Sequence, residues 1–465
     1  MLGPRDHYDL AIIGSGSGNT IVDEAFADRT VALVERNPVF GGTCLNVGCI
    51  PTKMFVLPAD LAASPATAAR LGVDLRREGV DFGEIRDRIF GRIDPISAGG
   101  KQWRQQADNL TLFDGEARFV GPKRLRVGDQ EFGADEIVLA TGSSPVLPDV
   151  PGMDLPGVHT SDTVMRIPDL PGSVVIIGGG FVAAEFAHIF SAFGAKVTQI
   201  SRSDALLRAE DITISRRFTE LTAERVTLRL NQEIVACEEG ADGRTAVITR
   251  DADGVDYTYQ ADIVLVATGR APNSAQLDPA AGGVNVDDAG YVIVDDYQRT
   301  TAEGVYALGD VCSPWQLKHV ANAEARVVKH NLLHPDDLIK SDHRFIPHAI
   351  FTDPQIASVG LTEQDAVGGG VPHVIAIQDY GAVAYGWALE DTDHLVKLIA
   401  DPDGGQLLGC HIMGPQASTL IQPLVQAMTF GLPAREMARG QYWIHPALTE
   451  VVENALLALP LGGDR

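Results

Sequence analysis

Residues 8–35 read YDLAIIGSGSGNTIVDEAFADRTVALVE, and residues 173–201 read SVVIIGGGFVAAEFAHIFSAFGAKVTQIS. Each opens with an apolar run short enough for a buried strand and then meets a glycine turn. An amphipathic stretch with helical spacing and a second apolar strand follow. This is the grammar of a parallel strand, helix, strand unit that binds a dinucleotide. Gly14 and Gly178 lie 164 residues apart, so the chain carries two such units. In the first turn, Gly14 and Gly16, with Ser17 beside them, give the tight turn and close backbone approach a pyrophosphate needs, and the next helix presents its N-terminus to the charge. Glu35, 21 residues past Gly14, ends the second strand where an acid bonds a ribose hydroxyl. The third glycine position holds Asn19, whose side chain is expected to crowd helix against strand. In the second turn Gly178, Gly180 and Ala183 fit the form G-x-G-x-x-A, and Ser201 stands where Glu35 stands in the first. Arg202 is adjacent and Arg208 lies six residues on. A missing acid and two guanidinium groups suit a 2′-phosphate, which favours NADPH over NADH. The alternative is that these arginines pair with Asp204 or Glu210 on a solvated face.

Working outward, residues 136–142 (EIVLATG) and 262–269 (DIVLVATG) are apolar strands that stop at Thr-Gly, placing Thr141, Gly142 and Gly269 at strand ends. Residues 298–310 return to a strand ending in Gly-Asp, with a helix expected over 321–332. From about residue 342 the texture changes to spaced strands (347–361, 394–400, 407–414) and then helical runs (418–430, 450–457). The expected fold is α/β, with two Rossmann-like domains and a C-terminal α+β domain. Residues 1–150 and 271–340 form the first dinucleotide domain, 151–270 the second, and 341–465 the third. A chain of 465 residues with 45% apolar and 21% charged residues can bury cores of that number and size. A formal net charge of −25 opposes nucleic acid and anionic lipid as partners. Pro4, Arg5 and Asp6 interrupt any secretory apolar run, and no stretch reaches the ~18 apolar residues of a membrane span, so a cytoplasmic protein is expected.

Residues 41–53 read GGTCLNVGCIPTK. On one helix Cys44 and Cys49 would stand about a turn apart, near disulfide reach if that turn were distorted. Zinc would need four ligands, and no second cysteine pair or histidine cluster accompanies these two, so no metal is expected. A structural bridge across so short a loop would be out of place in a reducing compartment. A redox-active pair is the strongest reading. Cys237, Cys312 and Cys410 match no motif and read as core or surface residues. Residues 442–450 (YWIHPALTE) place His445 five residues before Glu450. Thiol–disulfide chemistry needs a proton donor for the departing thiolate, and a histidine oriented and kept basic by a carboxylate supplies one.

The segment GGTCLNVGCIPTK resembles the active-site signature of the flavoprotein disulfide reductases, the class of glutathione reductase and dihydrolipoamide dehydrogenase, and the similarity covers nearly the whole chain. The resemblance implies FAD on the first glycine turn and in contact with Gly42 and Thr43, and a nicotinamide cofactor on the second. It also implies a Cys44–Cys49 disulfide against the isoalloxazine, Lys53 paired with Glu185 near the flavin, and Asp310 on the ribityl chain. Backbone at residues 115–117, ending in Ala117, and at residues 141–143 would line the cofactor. Cys44 would attack the substrate disulfide while Cys49 contacts the flavin, and His445, held by Glu450, would act in the site of the other subunit of a homodimer. Stretches such as GSGSGNT from Gly14, FGRIDPI from Phe90, HTSDTVMRIP from His159 and GQYWIHPAL from Gly440 resemble the actinobacterial branch that reduces mycothiol disulfide. The absence of later cysteine pairs in a chain closing with ALPLGGDR sets aside the mercury- and thioredoxin-reducing branches. Ser201 speaks against an NAD-dependent dihydrolipoamide dehydrogenase. Reduction of glutathione or another small disulfide, dihydrolipoamide oxidation, and a non-enzymatic flavin redox sensor are the alternatives.

Overall fold

The computed structural model describes residues 5–462. Pro4 and the last three residues of ALPLGGDR, used above, lie outside them. Strands β1 (His7–Ile13), β2 (Val31–Glu35) and β3 (Leu110–Asp114) are parallel, and β6 (Gln130–Leu139) lies parallel on the other side of β1. The hairpin β4 (Ala117–Gly121) and β5 (Arg124–Val127) extends the sheet antiparallel from β6, and Val305–Ala307 returns to pair parallel with β6. The order is β3-β2-β1-β6-β5-β4. Its central strands are buried on both faces, which is why they read as continuous Val, Ile, Leu and Ala. Three helices come between β2 and β3: α1 (Gly42–Asn46), α2 (Cys49–Arg70) and α3 (Phe82–Gln106).

The second sheet is wholly parallel, in the order Thr227–Arg229, Lys196–Ile200, Ser173–Ile177, Ile263–Val266, Val158–His159. An antiparallel three-stranded sheet (Gln232–Glu239, Thr245–Asp251, Asp256–Ala261) is inserted before its fourth strand. Beyond these, a five-stranded antiparallel sheet, with Leu407–Met413 and Leu395–Ala400 inside it, packs against helices Gln422–Phe430 and Thr449–Leu457. The fold is mixed α/β. No helix among the described residues is long and apolar enough to cross a membrane.

The two glycine-turn units differ where the sequence reads alike. In the second, helix Phe181–Phe193 runs for 13 residues from an N-cap at Gly180. In the first, the expected helix is absent. Residues 18–26 hold two single 3₁₀ turns, Gly18–Thr20 and Glu24–Phe26, the latter capped by Asp23, which accepts from the Ala25 N–H. The guanidinium of Arg104, 5% exposed, donates to the carbonyls of Asn19 (2.5 Å) and Val22 (2.9 Å) that a helix would have bonded internally. The same side chain bonds Asn19 Oδ1 at 2.6 Å. Asn19 therefore faces α3 and crowds nothing. The close approach belongs to Gly18, where a Cβ would lie 2.8 Å from both Ala140 Cβ and Ile12 Cγ2.

Candidate active site

Cys44 and Cys49 do not share a helix. The chain leaves helical conformation at Val47 (φ −143°) and Gly48 (ψ −120°), so Cys44 lies within α1 and Cys49 opens α2. Gly48 fits this break because a Cβ there would meet the Thr43 carbonyl at 3.0 Å. Both cysteines are free thiols and hydrogen-bond each other. That bond from Cys44 is the first reason the Cys49 thiol titrates at about 7, against burial, with the Lys53 ammonium and the helix N–H assisting. The same bond, together with burial, pushes Cys44 far up, so the pair gives up its first proton at Cys49.

Lys53, one turn into α2, reaches the second sheet's helix, where Nζ donates to both Glu185 carboxylate oxygens at 2.7 and 2.8 Å. Glu185 is buried and takes a third bond from the Phe351 N–H at 2.9 Å. One acid thus ties together α2, the Phe181–Phe193 helix and the C-terminal region.

These groups line one cleft of about 460 Å³ that also contains Gly14, Gly16, Ser17, Glu35, Gly42, Thr43, Ala117, Thr141, Gly142 and Asp310. Backbone makes most of the glycine-loop wall. A Cβ at Gly14 (φ +111°) would sit 2.3 Å from the Ala140 oxygen, and one at Gly42 (φ +75°) 2.6 Å from Gly16 Cα. Glu35 accepts from Ser15 N (2.9 Å), Ser15 Oγ (2.6 Å) and Asn37 N (2.7 Å), which fixes the acid at the end of β2. Asn46 Oδ1, buried on the cleft wall, has no protein partner. A cleft walled by close backbone and lined by a fixed acid, a dithiol and an orphaned acceptor fits FAD.

Lys318, Arg270 and Asn273, which also line this cleft, escaped the sequence reading. Lys318, first residue of helix Lys318–Leu333, donates to Ser17 Oγ at 2.8 Å, and burial pushes its ammonium down. Asp310 accepts from Ser143 Oγ (2.7 Å), which accepts in turn from Arg270 Nε (2.9 Å). Asn273 and Thr141 bond each other's carbonyls at 3.0 and 2.8 Å. No local pattern marks these three, because the partner of each lies more than a hundred positions away.

The second glycine turn lies outside this cleft. Gly178 (φ +146°) abuts the Ala267 oxygen, and Gly180 starts the helix. Gly269 ends the Ile263–Val266 strand segment with φ +133° and bonds the Val146 N–H through its carbonyl. Arg202 and Arg208 are exposed beyond Lys196–Ile200. Of the two partners considered for them, Glu210 is turned inward to His348 and Ser358, and Asp204 lies 4.0 Å from Arg208 with both side chains in solvent. His445 and Glu450 do not line this cleft either. His445 Nδ1 and Glu450 Oε1 are 2.7 Å apart, and the hydrogen bond holds the Glu450 carboxyl below its usual range. His445 is 70% exposed, next to the exposed Ile444 and Tyr442.

Residues 8–325 match the pyridine nucleotide-disulphide oxidoreductase family, and residues 346–456 match that family's dimerisation domain. The chain is 54% identical to mycothione reductase of Mycobacterium tuberculosis, covering 97% of this chain and 99% of the relative. It is 32% identical to a dihydrolipoyl dehydrogenase of Haloferax volcanii, over 96% of each. Among solved structures, the HOCl-induced flavoprotein disulfide reductase RclA of Escherichia coli superposes with a TM-score of 0.84 at 28% identity, covering 97% of this chain and 99% of that one. With a dithiol at the end of a dinucleotide cleft and likeness of this extent, the chain belongs to the pyridine nucleotide-disulphide oxidoreductases, enzymes that use FAD and NAD(P)H.

Proposed function

We propose that this enzyme uses NADPH to reduce mycothione, the disulfide of mycothiol, to two thiols, as a homodimer in the cytoplasm. The observation that carries the chemistry is the Cys44/Cys49 dithiol on the wall of the dinucleotide cleft, one thiol in α1 and the other opening α2. The choice of substrate rests on the mycothione reductase relative, 54% identical over nearly its full length. The proposed domains are residues 1–150 with 271–340 for FAD, 151–270 for NADPH, and 341–465 for dimerisation.

Held along the turn of Gly14 and Gly16, Glu35 and Asp310, FAD would supply the electron pair, taken from the nicotinamide cofactor, that opens the Cys44–Cys49 disulfide. Lys53 and Glu185 hold a fixed charge pair beside the dithiol. Cys44 passes its proton to His445 of the partner subunit as its sulfur attacks one sulfur of the substrate disulfide; the new S–S bond forms as the substrate S–S bond breaks. The departing thiolate takes a proton from His445 of the partner subunit, whose ring is held by a carboxylate like the Glu450 seen here. Cys49 thiolate then attacks the Cys44 sulfur, expelling the second product as a thiolate that takes its proton from solvent and restoring the intramolecular disulfide. Exposure of His445, Ile444 and Tyr442 supports a role facing another chain.

NADPH oxidation with mycothiol disulfide, glutathione disulfide and lipoamide offered in turn tests the substrate. Turnover should be fastest with mycothiol disulfide; turnover with only one of the other two would overturn the assignment. Mixing Cys44→Ser and His445→Ala chains tests the shared site. Half the randomly mixed dimers are hybrids with one intact site in two, so about a quarter of wild-type activity should return. No recovery, with exchange verified by mass spectrometry, would place His445 in its own chain's site.

A further inference from the structure

Two buried acids stand immediately after the arginines of the second nucleotide unit, and their partners are in another part of the chain. The loop that carries Arg202 and Arg208 runs into helix Ile212–Ala223. Glu210, 4% exposed, accepts from His348 Nε2 and Ser358 Oγ, both at 2.6 Å, and its carbonyl accepts from Gln364 Nε2 at 2.8 Å. Asp211, fully buried, caps the helix by accepting from Thr213 N, and also accepts from Lys397 Nζ at 2.7 Å and Glu363 N at 2.9 Å. Lys397 is itself wholly buried, in the centre of the antiparallel C-terminal sheet. Around the polar contacts Leu206, Leu207, Ile214 and Phe218 pack with Ile350, Ile356, Leu395 and Met413.

We infer that Glu210 and Asp211 are positioning residues for cofactor discrimination, fastening the arginine loop to the C-terminal sheet. The inference rests on the reading of Arg202 and Arg208 as the 2′-phosphate site. Buried ion pairs add little stability over apolar side chains of the same volume, so the role assigned to these two is to hold the loop in one register. The arginines need that register from beneath, since Arg208 has only a solvated contact 4.0 Å away with Asp204. The fastening continues into the nucleotide turn. Leu207, in the left-handed region at φ +52°, donates its N–H to the Gly179 carbonyl at 2.7 Å, and Gly179 lies against Ser201, where a Cβ would be 2.6 Å from Oγ. A loop released from the sheet keeps its arginines but loses their placement over a phosphate.

The test uses the holoenzyme with Glu210→Gln, and with Asp211→Asn combined with Lys397→Met and Glu363→Gln, since Lys397 also pairs with Glu363, so that no buried charge is left alone. Ser358→Ala is the milder variant should either misfold. The Michaelis constant for NADPH should rise about tenfold, as expected when one charge-assisted contact is lost, with the constant for NADH and both kcat values within about twofold. Titration calorimetry should show the same selective loss for adenosine 2′,5′-bisphosphate over adenosine 5′-monophosphate. Equal losses for both members of each pair, or a lowered melting temperature with an unchanged ratio, would overturn the inference. Arg202→Ala with Arg208→Ala is the reference arm. If that variant shifts the ratio and the anchor variants do not, the anchoring alone is wrong. If it shifts nothing, the 2′-phosphate reading fails and the inference falls with it.

Discussion

Removing the Cys44 thiol while leaving Cys49 in place isolates the interaction that sets the first ionisation of the reduced enzyme. In Cys44→Ala the leading cause of the low Cys49 value disappears. Lys53 and the helix N–H then stand against burial and Asp310, and the midpoint should move from about 7 toward the ordinary value of 9.0. Because Cys49 is open to solvent on one side, the shift should be about one to two units rather than more. At pH 7 the thiolate fraction then falls from about one half to between about one tenth and one hundredth. Intrinsic nucleophilicity rises with pKa along a slope of about 0.4–0.5, so iodoacetamide alkylation at pH 7 slows only about two- to eightfold. The position of the midpoint is therefore the more sensitive readout, followed by alkylation rate against pH with the modified peptide quantified by mass spectrometry. Cys44→Ser keeps a hydroxyl donor and should leave the midpoint nearer 7 than Cys44→Ala does. A midpoint unchanged at 7 in Cys44→Ala would refute the reasoning and assign the effect to Lys53 and the helix terminus alone.

Wild-type protein should purify yellow with about one FAD per chain. Gly42→Val should give colourless protein, since its Cβ would fall 2.6 Å from Gly16 Cα at a φ of +75°. Lys53→Met leaves the buried Glu185 with only the Phe351 N–H and should cost about 1–3 kcal/mol in denaturant unfolding, most of it recovered in combination with Glu185→Gln. Gly18→Ala should destabilise by about 1–3 kcal/mol through overpacking against Ile12 and Ala140, and a neutral result would return the close approach to position 19.

What the sequence determined by itself was local. Strand runs with two-sided burial, glycine turns needing positive φ, a cysteine pair beside a lysine, and a histidine five residues before a glutamate are all patterns within one short window. Their physics is steric and periodic, so they were legible without a fold, and so was the mixed α/β class. The first unit shows where that reading stops. Its residues have helical spacing, yet no α-helix forms, and Arg104, 82 positions from Val22, takes the carbonyls a helix would use. Gly18 was hidden as the residue of close approach for the same kind of reason, since it is set by Ala140, just past the end of β6. Lys318 beside Ser17, Arg270 beside Ser143, and Lys397 beneath Asp211 were decided only by tertiary structure. A buried charge is tolerated only where its partner arrives, and which distant residue arrives is a property of the packed whole, not of any segment.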